Sequence, residues 1–414
     1  MTVAAGTKPH PIFLAGRWVE SPDVLVVDNP ADASTPAGHT YTATEAQYEE
    51  AVEAAVAAFE VTRHLPAYER GRILREISAG VRERREELGR LIALEAGKPI
   101  RDALNEVDRA VLTFRLGAEE AERMTGELIP LDLMASSKDR IGITRRFPIG
   151  PIAGISPFNF PLNLAAHKIS PAIASGNPIV LKPPSKDPLT MLAVAEIIEA
   201  AGPPPGSVSI LPMTRELGDR MVADPRFKLL TFTGSPSVGW RMKERAGKKR
   251  VVLELGGNAG VIVDKTADLD WAVKRCLTGA FAYAGQVCIS VQRMFIHEDI
   301  WDAFMGAFVE GARALKVGDP LDPTTDVGPM VDATAAGRTQ RWVDEAIALG
   351  GKALLGGTAD GTFFPPTILT DVPTYRIDHM PYGGVKDSGL GREGLRWAIE
   401  DMTEIRIRVL AQPS

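Results

Sequence analysis

Residues 151–161 read PIAGISPFNFP, and the fold is decided by how this stretch is read. A short apolar run ends in a loop bracketed by prolines, and Leu162–Ser175 follows with helical patterning. The alternation then recurs. PIVLK precedes the helical segment Leu189–Ala201, and SVSIL, KLLTF, VVLEL and GVIV come after it. Strands repeated with helix-length connections predict an α/β fold built on a doubly wound parallel sheet. Such sheets bind ligands in the crevice at the carboxyl ends of their strands, so chemistry is sought in the loops there.

Upstream, the first 40 residues read as an irregular arm with one extended piece, VLVVDNP. Thr44-Glu45-Ala46-Gln47 opens a helix with a capping-box pattern. Leu74, Ile77, Val81, Leu88, Leu91 and Ile92 mark a second helix, which Gly97-Lys98-Pro99 ends, and a third runs from Asp102 to Met124. DRIGITRRFP, residues 139–148, reads as a hairpin. Downstream come a helix over Leu269–Ala284, a strand over Arg293–His297, and helices over Trp301–Leu315 and Ala335–Leu349. A Pro- and Gly-rich stretch then leads to PYGGVKDSGLGREG, a last helix and a terminal strand, TEIRIRVL.

The 414 residues are 45% hydrophobic, enough for more than one core. The net charge of −6 is spread over both signs, which argues against a nucleic-acid partner. The N-terminus shows no apolar signal segment, and no window approaches the ~18 apolar residues of a membrane span. Two cysteines make no disulfide framework, and the six scattered histidines show no metal-ligand spacing. A cytoplasmic protein with reduced thiols and no metal is expected.

Four loops after strands hold polar residues in apolar surroundings. In Ser156-Pro157-Phe158-Asn159, the Asn159 amide can donate to a developing oxyanion, or it can cap the helix that follows. In Lys182-Pro183-Pro184-Ser185-Lys186, a strand-end lysine can reach a ribose or phosphate, or can simply be solvated. Gly234, Ser235 and Gly239 open a helix whose amides can cradle a pyrophosphate, although a plain turn reads as well. In Leu253-Glu254-Leu255-Gly256-Gly257-Asn258, a carboxylate at an apolar strand end suits a general base or a structural ion pair. Cys288, in AYAGQVC, is either a nucleophile or a packed thiol. Cys276 belongs to the core.

Together these stretches resemble the aldehyde dehydrogenase superfamily. PFNFP, KPPSKDP, FTGS with Gly239, LELGGN and GQVC follow the family's motif order, and PYGGVKDSGLGREG fits its ending. The closing segment looks like that of members acting on lactaldehyde or glyceraldehyde 3-phosphate. The resemblance implies that Cys288 attacks an aldehyde carbonyl and that Asn159 holds the oxyanion. Hydride then passes to NAD(P), and Glu254 activates water against the thioester, with Lys168 in support. It assigns Ser156, Pro157, Phe158, Lys182, Ser185, Lys186, Gly234, Ser235, Gly239, Leu255 and Gly256 to the cofactor. Ser185 stands where many members carry Glu, and Lys186 follows it. NADP is therefore expected to be accepted, or preferred over NAD.

The same resemblance implies three parts. Residues 1–135 and 149–255 bind the cofactor, 256–392 form the catalytic part, and 136–148 with 393–414 bridge subunits of a homodimer or homotetramer. The family normally carries a long block where this chain passes from Thr374 directly to Tyr375. That block holds strands and a glutamate for the nicotinamide ribose. A catalytically impaired deletion variant is thus one alternative, and transfer of the thioester to coenzyme A is another.

Overall fold

The computed structural model describes residues 8–372 and, as strand backbone, 389–390 and 403–411. The Thr374–Tyr375 junction, most of the PYGG segment and the last helix lie outside the described residues.

The N-terminal arm is more regular than it reads. β1 (Ile12–Leu14) pairs with β2 (Arg17–Val19), and β3 (Val24–Val27) with β4 (Gly38–Tyr41), all antiparallel. Runs of three or four residues are too short to display a period of two. α1 (Glu45–Thr62) begins with the expected reciprocal cap: Gln47 N donates to Thr44 Oγ1, and Thr44 N to Gln47 Oε1. The long apolar stripe is two helices, α2 (Ala67–Glu83) and α3 (Arg85–Ala96), broken where Arg84 turns to ψ 22°. α3 stops at Gly97, whose φ of 69° is left-handed, and α4 (Ile100–Arg123) follows. β5 (Leu128–Pro130) pairs with β6 (Arg140–Pro148), which is one nine-residue strand rather than a hairpin in itself.

From residue 151 the strand–helix alternation holds. β7 (Ile152–Ile155), α5 (Asn163–Ser175), β8 (Ile179–Lys182), α6 (Leu189–Ala200) and β9 (Val208–Ile210) run in succession. α7 (Arg215–Ala223), β10 (Leu229–Gly234), α8 (Pro236–Arg245) and β11 (Arg250–Leu255) continue the pattern. The remaining described strands and α-helices are β12 (Ala259–Val263), α9 (Leu269–Phe281), β13 (Val291–Ile296), α10 (Trp301–Arg313) and α11 (Ala333–Ala348). After them come β14 (Lys352–Leu355), β15 (Ile368–Thr370), β16 (Gly389–Leu390) and β17 (Thr403–Ala411).

The main sheet has the order β16-β11-β10-β7-β8-β9-β1-β2. Its five central strands are parallel; β16, β1 and β2 join antiparallel. The chain winds from β7 through β8 to β9, then returns to the other side of β7 with β10 and β11. The strand order therefore reverses between β7 and β10, and the crevice above that point is where such sheets take ligands.

Alternation along each strand builds a core on either face. Ile179 and Leu181 of β8 pack among Leu74, Phe114 and Ile169, whereas Val180 packs among Tyr48, Phe232 and Leu253. All three are fully buried, and truncating Ile179 or Leu181 to alanine would cost about 2–5 kcal/mol.

β12 and β13 form a parallel pair backed by α9 and α10, where Phe304 and Phe281 stack on Phe308 at 5.6 and 5.9 Å. On the same pair, Ile262 is 82% exposed and Phe295 47%.

Candidate active site

The carboxyl ends of β7, β8, β10 and β11 open into one cleft of about 1660 Å³, which Glu254 and Cys288 both line. β10 and β11 are in register, with Thr233 opposite Glu254 and Gly234 opposite Leu255. Ser156, Lys182, Ser235 and Glu254 are thus brought to one rim, as the sequence order of the loops implies.

Asn159 does not cap the helix after it. The N-terminus of α5 is satisfied from a distance: Glu106 Oε1 accepts from Leu162 N at 3.0 Å and Asn163 N at 3.1 Å. The Asn159 side chain instead donates from Nδ2 to the Gln286 carbonyl at 2.9 Å. Its Oδ1 is buried with no hydrogen-bond partner among the described residues. The main-chain carbonyl of Asn159 accepts from Lys98 Nζ at 2.6 Å.

The expected helix over 269–284 ends early, at Phe281. Tyr283, Ala284 and Gly285 then take φ values of 49°, 52° and 73°. Two consecutive non-glycine residues in the left-handed region carry strain of about 1–3 kcal/mol each, so surrounding contacts must hold them. Tyr283 is fully buried and donates its hydroxyl to the Ala96 carbonyl at 2.5 Å. The turn delivers Cys288 exposed on the cleft wall, whereas Cys276 is buried in α9, where burial pushes its thiol up.

The Cys288 segment and the Glu254 strand are sewn together. A Cβ built on Gly257 would stand 3.2 Å from the Cys288 carbonyl oxygen, a tight contact that the glycine relieves. Five residues beyond Cys288, Arg293 Nη2 donates to the Asn258 carbonyl at 2.9 Å.

Lys168, fully buried on α5, donates to Thr233 Oγ1 at 2.7 Å and Thr231 Oγ1 at 3.2 Å, beneath the strand that faces Glu254. Lys182 Nζ lies 3.0 Å from Ser185 Oγ. Burial, and secondarily the charge of Arg215, depresses the Lys182 ammonium to about 8. Lys186 reaches across to Asp332, the N-cap of α11, at 3.3 Å. Part of the positive charge expected from Lys186 is therefore matched by a carboxylate.

The groups of the cleft fit a dinucleotide. Ser156 Oγ is buried in its wall with no hydrogen-bond partner among the described residues. Ser235 is the N-cap of α8 but does not cap its amides, which leaves the helix N-terminus open for an anion. Gly239 brings α8 down on Leu255 and Phe232, since a Cβ there would sit 2.5 Å from Leu255 Cδ2 and 3.3 Å from Phe232 Cδ1. Gly256, Pro157 and Phe158 complete the lining. Among the described residues, no group of three or more His, Cys, Asp or Glu could hold a metal ion. Nor is any described helix long and apolar enough to cross a membrane.

Sequence reasoning missed Lys98, which reads as part of a Gly-Lys-Pro helix stop, and gave Arg215 no role. Both lie far in sequence from the atoms they serve.

The chain matches the aldehyde dehydrogenase family over residues 18–376. It is 36% identical over 478 aligned positions to a 3-sulfolactaldehyde dehydrogenase of Priestia aryabhattai, covering 99% of this chain and 100% of the relative. It is 37% identical over 471 positions to a lactaldehyde dehydrogenase of Methanocaldococcus jannaschii, covering 97% and 100%. Aldehyde dehydrogenase 21 of Physcomitrella patens, solved with its reaction product succinate, superposes with a TM-score of 0.93 at 39% identity over 98% of this chain and 99% of that one. The glyceraldehyde-3-phosphate dehydrogenase GapN of Methanocaldococcus jannaschii, solved with NADP, gives 0.86 at 37% identity over 94% and 99%. The chain belongs to the aldehyde dehydrogenase family.

Proposed function

We propose that this chain oxidises a short, polar aldehyde to its carboxylic acid through a covalent intermediate on Cys288. The observation that carries the reading is the meeting of Asn159, Glu254 and Cys288 around one cleft at the switch point of the sheet. The Cys288 thiolate adds to the carbonyl carbon, and the oxygen becomes an oxyanion. An amide NH₂ carries two donors, so Asn159 can keep one on Gln286 and turn the other to that oxyanion, beside the Cys288 N–H. A bound nicotinamide dinucleotide supplies the acceptor for the hydride lost from carbon. A thioester remains on Cys288. Glu254 takes a proton from water as the hydroxyl adds, and the thiolate leaves with the acid as product.

Ser156, Lys182, Ser185 and the α8 N-terminus would hold the dinucleotide. With Ser185 rather than a carboxylate beside Lys182, and Arg215 close enough to act on that lysine, a 2′-phosphate meets positive charge. NADP is the cofactor this arrangement favours. The relatives' substrates support a small hydroxylated or anionic aldehyde. A homodimer or homotetramer in the cytoplasm, bridged by residues 136–148 and 393–414, completes the reading. Residues 1–135 and 149–255 would be its cofactor part and 256–392 its catalytic part. Measuring NADPH formation with lactaldehyde, for the chain and for Cys288→Ala, tests it; equal rates would overturn it.

A second reading, that output is impaired by an internal deletion at Thr374–Tyr375, is supported by two observations. The alignments run over 478 and 471 positions against 414 residues here. Ile262 and Phe295 also lie exposed on the β12–β13 pair, where further elements would pack. Resequencing the gene across the junction, and comparing kcat/KM with that of a relative, separates the two.

A further inference from the structure

We infer that Lys98 is a positioning residue, which holds the Asn159 loop and the Cys288 loop in one geometry from the far side of the cleft wall. The inference rests on the reading of Asn159 and Cys288 given above. The Lys98 side chain is 1% exposed and forms an ion pair with Glu106, itself fully buried. That pair alone would be structural. The remaining contacts of the ammonium go elsewhere. It donates to the Asn159 carbonyl at 2.6 Å and stands 3.8 Å from the Phe160 ring centroid, so the main chain of one residue and the side chain of the next are both engaged. It also lies 4.7 Å from the Tyr283 ring centroid, at the start of the left-handed turn that leads to Cys288.

The same three-residue stretch grips Tyr283 twice, since the Ala96 carbonyl accepts its hydroxyl. Ala96 and Lys98 therefore over-determine a turn that the backbone would not adopt unaided. Glu106, the partner of Lys98, caps the helix that the Asn159 loop enters. One cation thus contacts the main chain before α5 and the aromatic ring before Cys288. Lys98 touches no reacting atom. Its effect is the placement of the Asn159 amide against the carbon that Cys288 attacks.

The test uses an activated nitrophenyl ester, which acylates Cys288 with release of nitrophenolate and forms the same oxyanion without cofactor. Lys98→Met keeps the bulk and removes the charge; it should slow acylation by about tenfold to a hundredfold, the scale of an ångström-sized misplacement. In an Asn159→Ala background the same substitution should change the rate by less than about twofold, because residues acting as one unit are not additive. An equal fold-loss in both backgrounds would overturn the inference. Lys98→Met/Glu106→Gln removes both charges, and serves if the single variant fails to fold. It should stay slow, whereas wild-type rates in the double would show the pair to be structural only and would overturn the inference. If Cys288→Ala releases nitrophenolate at the wild-type rate, the nucleophile itself is misassigned and both readings fall. Loss of that activity with no effect at Lys98 would sink the positioning role alone.

Discussion

The Asn159 side-chain amide and the Gln286 carbonyl, 127 residues apart, are joined by a hydrogen bond of 2.9 Å. The loop expected to hold an oxyanion is thereby tied to the residue two positions before the candidate nucleophile. Gln286 is anchored in turn, its Oε1 accepting from Val331 N at 3.0 Å. Asn159→Ala removes both the tie and the second donor. The expected result is a fall in kcat of about 10²- to 10³-fold with little change in the KM for dinucleotide, read by steady-state kinetics. Asn159→Asp should fare no better, since a carboxylate repels the oxyanion.

The two cysteines should differ in chemistry. Cys288 is exposed in the cleft and Cys276 is buried with its thiol pushed up. Iodoacetamide under native conditions should therefore alkylate Cys288, and Cys276 only after unfolding, as peptide mass spectrometry would record. Cys288→Ala should lower aldehyde oxidation by about 10⁴-fold or more, whereas Cys276→Ala should leave the catalytic rate near that of wild type.

Cofactor choice should follow charge at the Lys182–Ser185 pair. Ser185→Glu places a carboxylate against a 2′-phosphate and should lower kcat/KM for NADP by about tenfold or more relative to NAD. The depressed Lys182 ammonium adds a pH signature. Its charged form prevails below about 8 and is lost above it, so the KM for NADP should climb between about pH 7 and about pH 9. Lys182→Met should flatten that climb.

Asp187 is fully buried, and its carboxyl is raised well above the usual range by that burial and then by Glu95 and Glu106. Glu95 is pushed up to about 7, again chiefly by burial. A raised folded-state value means that the folded protein holds protons the unfolded chain has released. The stability from Glu95 is present below its unfolded value and is lost as pH rises towards about 7; that from Asp187 is likewise lost as pH rises from its unfolded value towards its raised folded one. Asp187→Asn mimics the neutral acid. Its Tm relative to wild type should therefore improve between pH 5 and pH 8, by about 2–4 °C in a differential scanning experiment.

The parallel sheet was legible because its strands are continuous apolar runs, such as PIVLK, punctuated by helix-length connections. The loops at its rim were legible because their residues are polar at apolar strand ends. What escaped the sequence was set by distant partners. Nothing local to Asn159 says that Glu106 would cap α5 in its place. Nothing in FAYAGQ announces left-handed turns at Tyr283 and Ala284, which depend on Ala96 and Lys98. Lys186 read as free charge because its counter-ion, Asp332, stands at a helix start far along the chain. Strands β1, β2 and β4 escaped for a different reason, being too short to carry a period, whereas β3 is the extended piece read in VLVVDNP.

β16 lies along β11, with Gly389 opposite Glu254 and Leu390 opposite Leu253. During synthesis the strand that bears the carboxylate therefore leaves the ribosome long before its outer neighbour exists. Until the tail arrives, its main-chain amides and carbonyls stand as an unsealed border open to any passing strand. Assembly of this rim is consequently a late, long-range event, and nascent chains paused before Gly389 should be the ones that chaperones must shield.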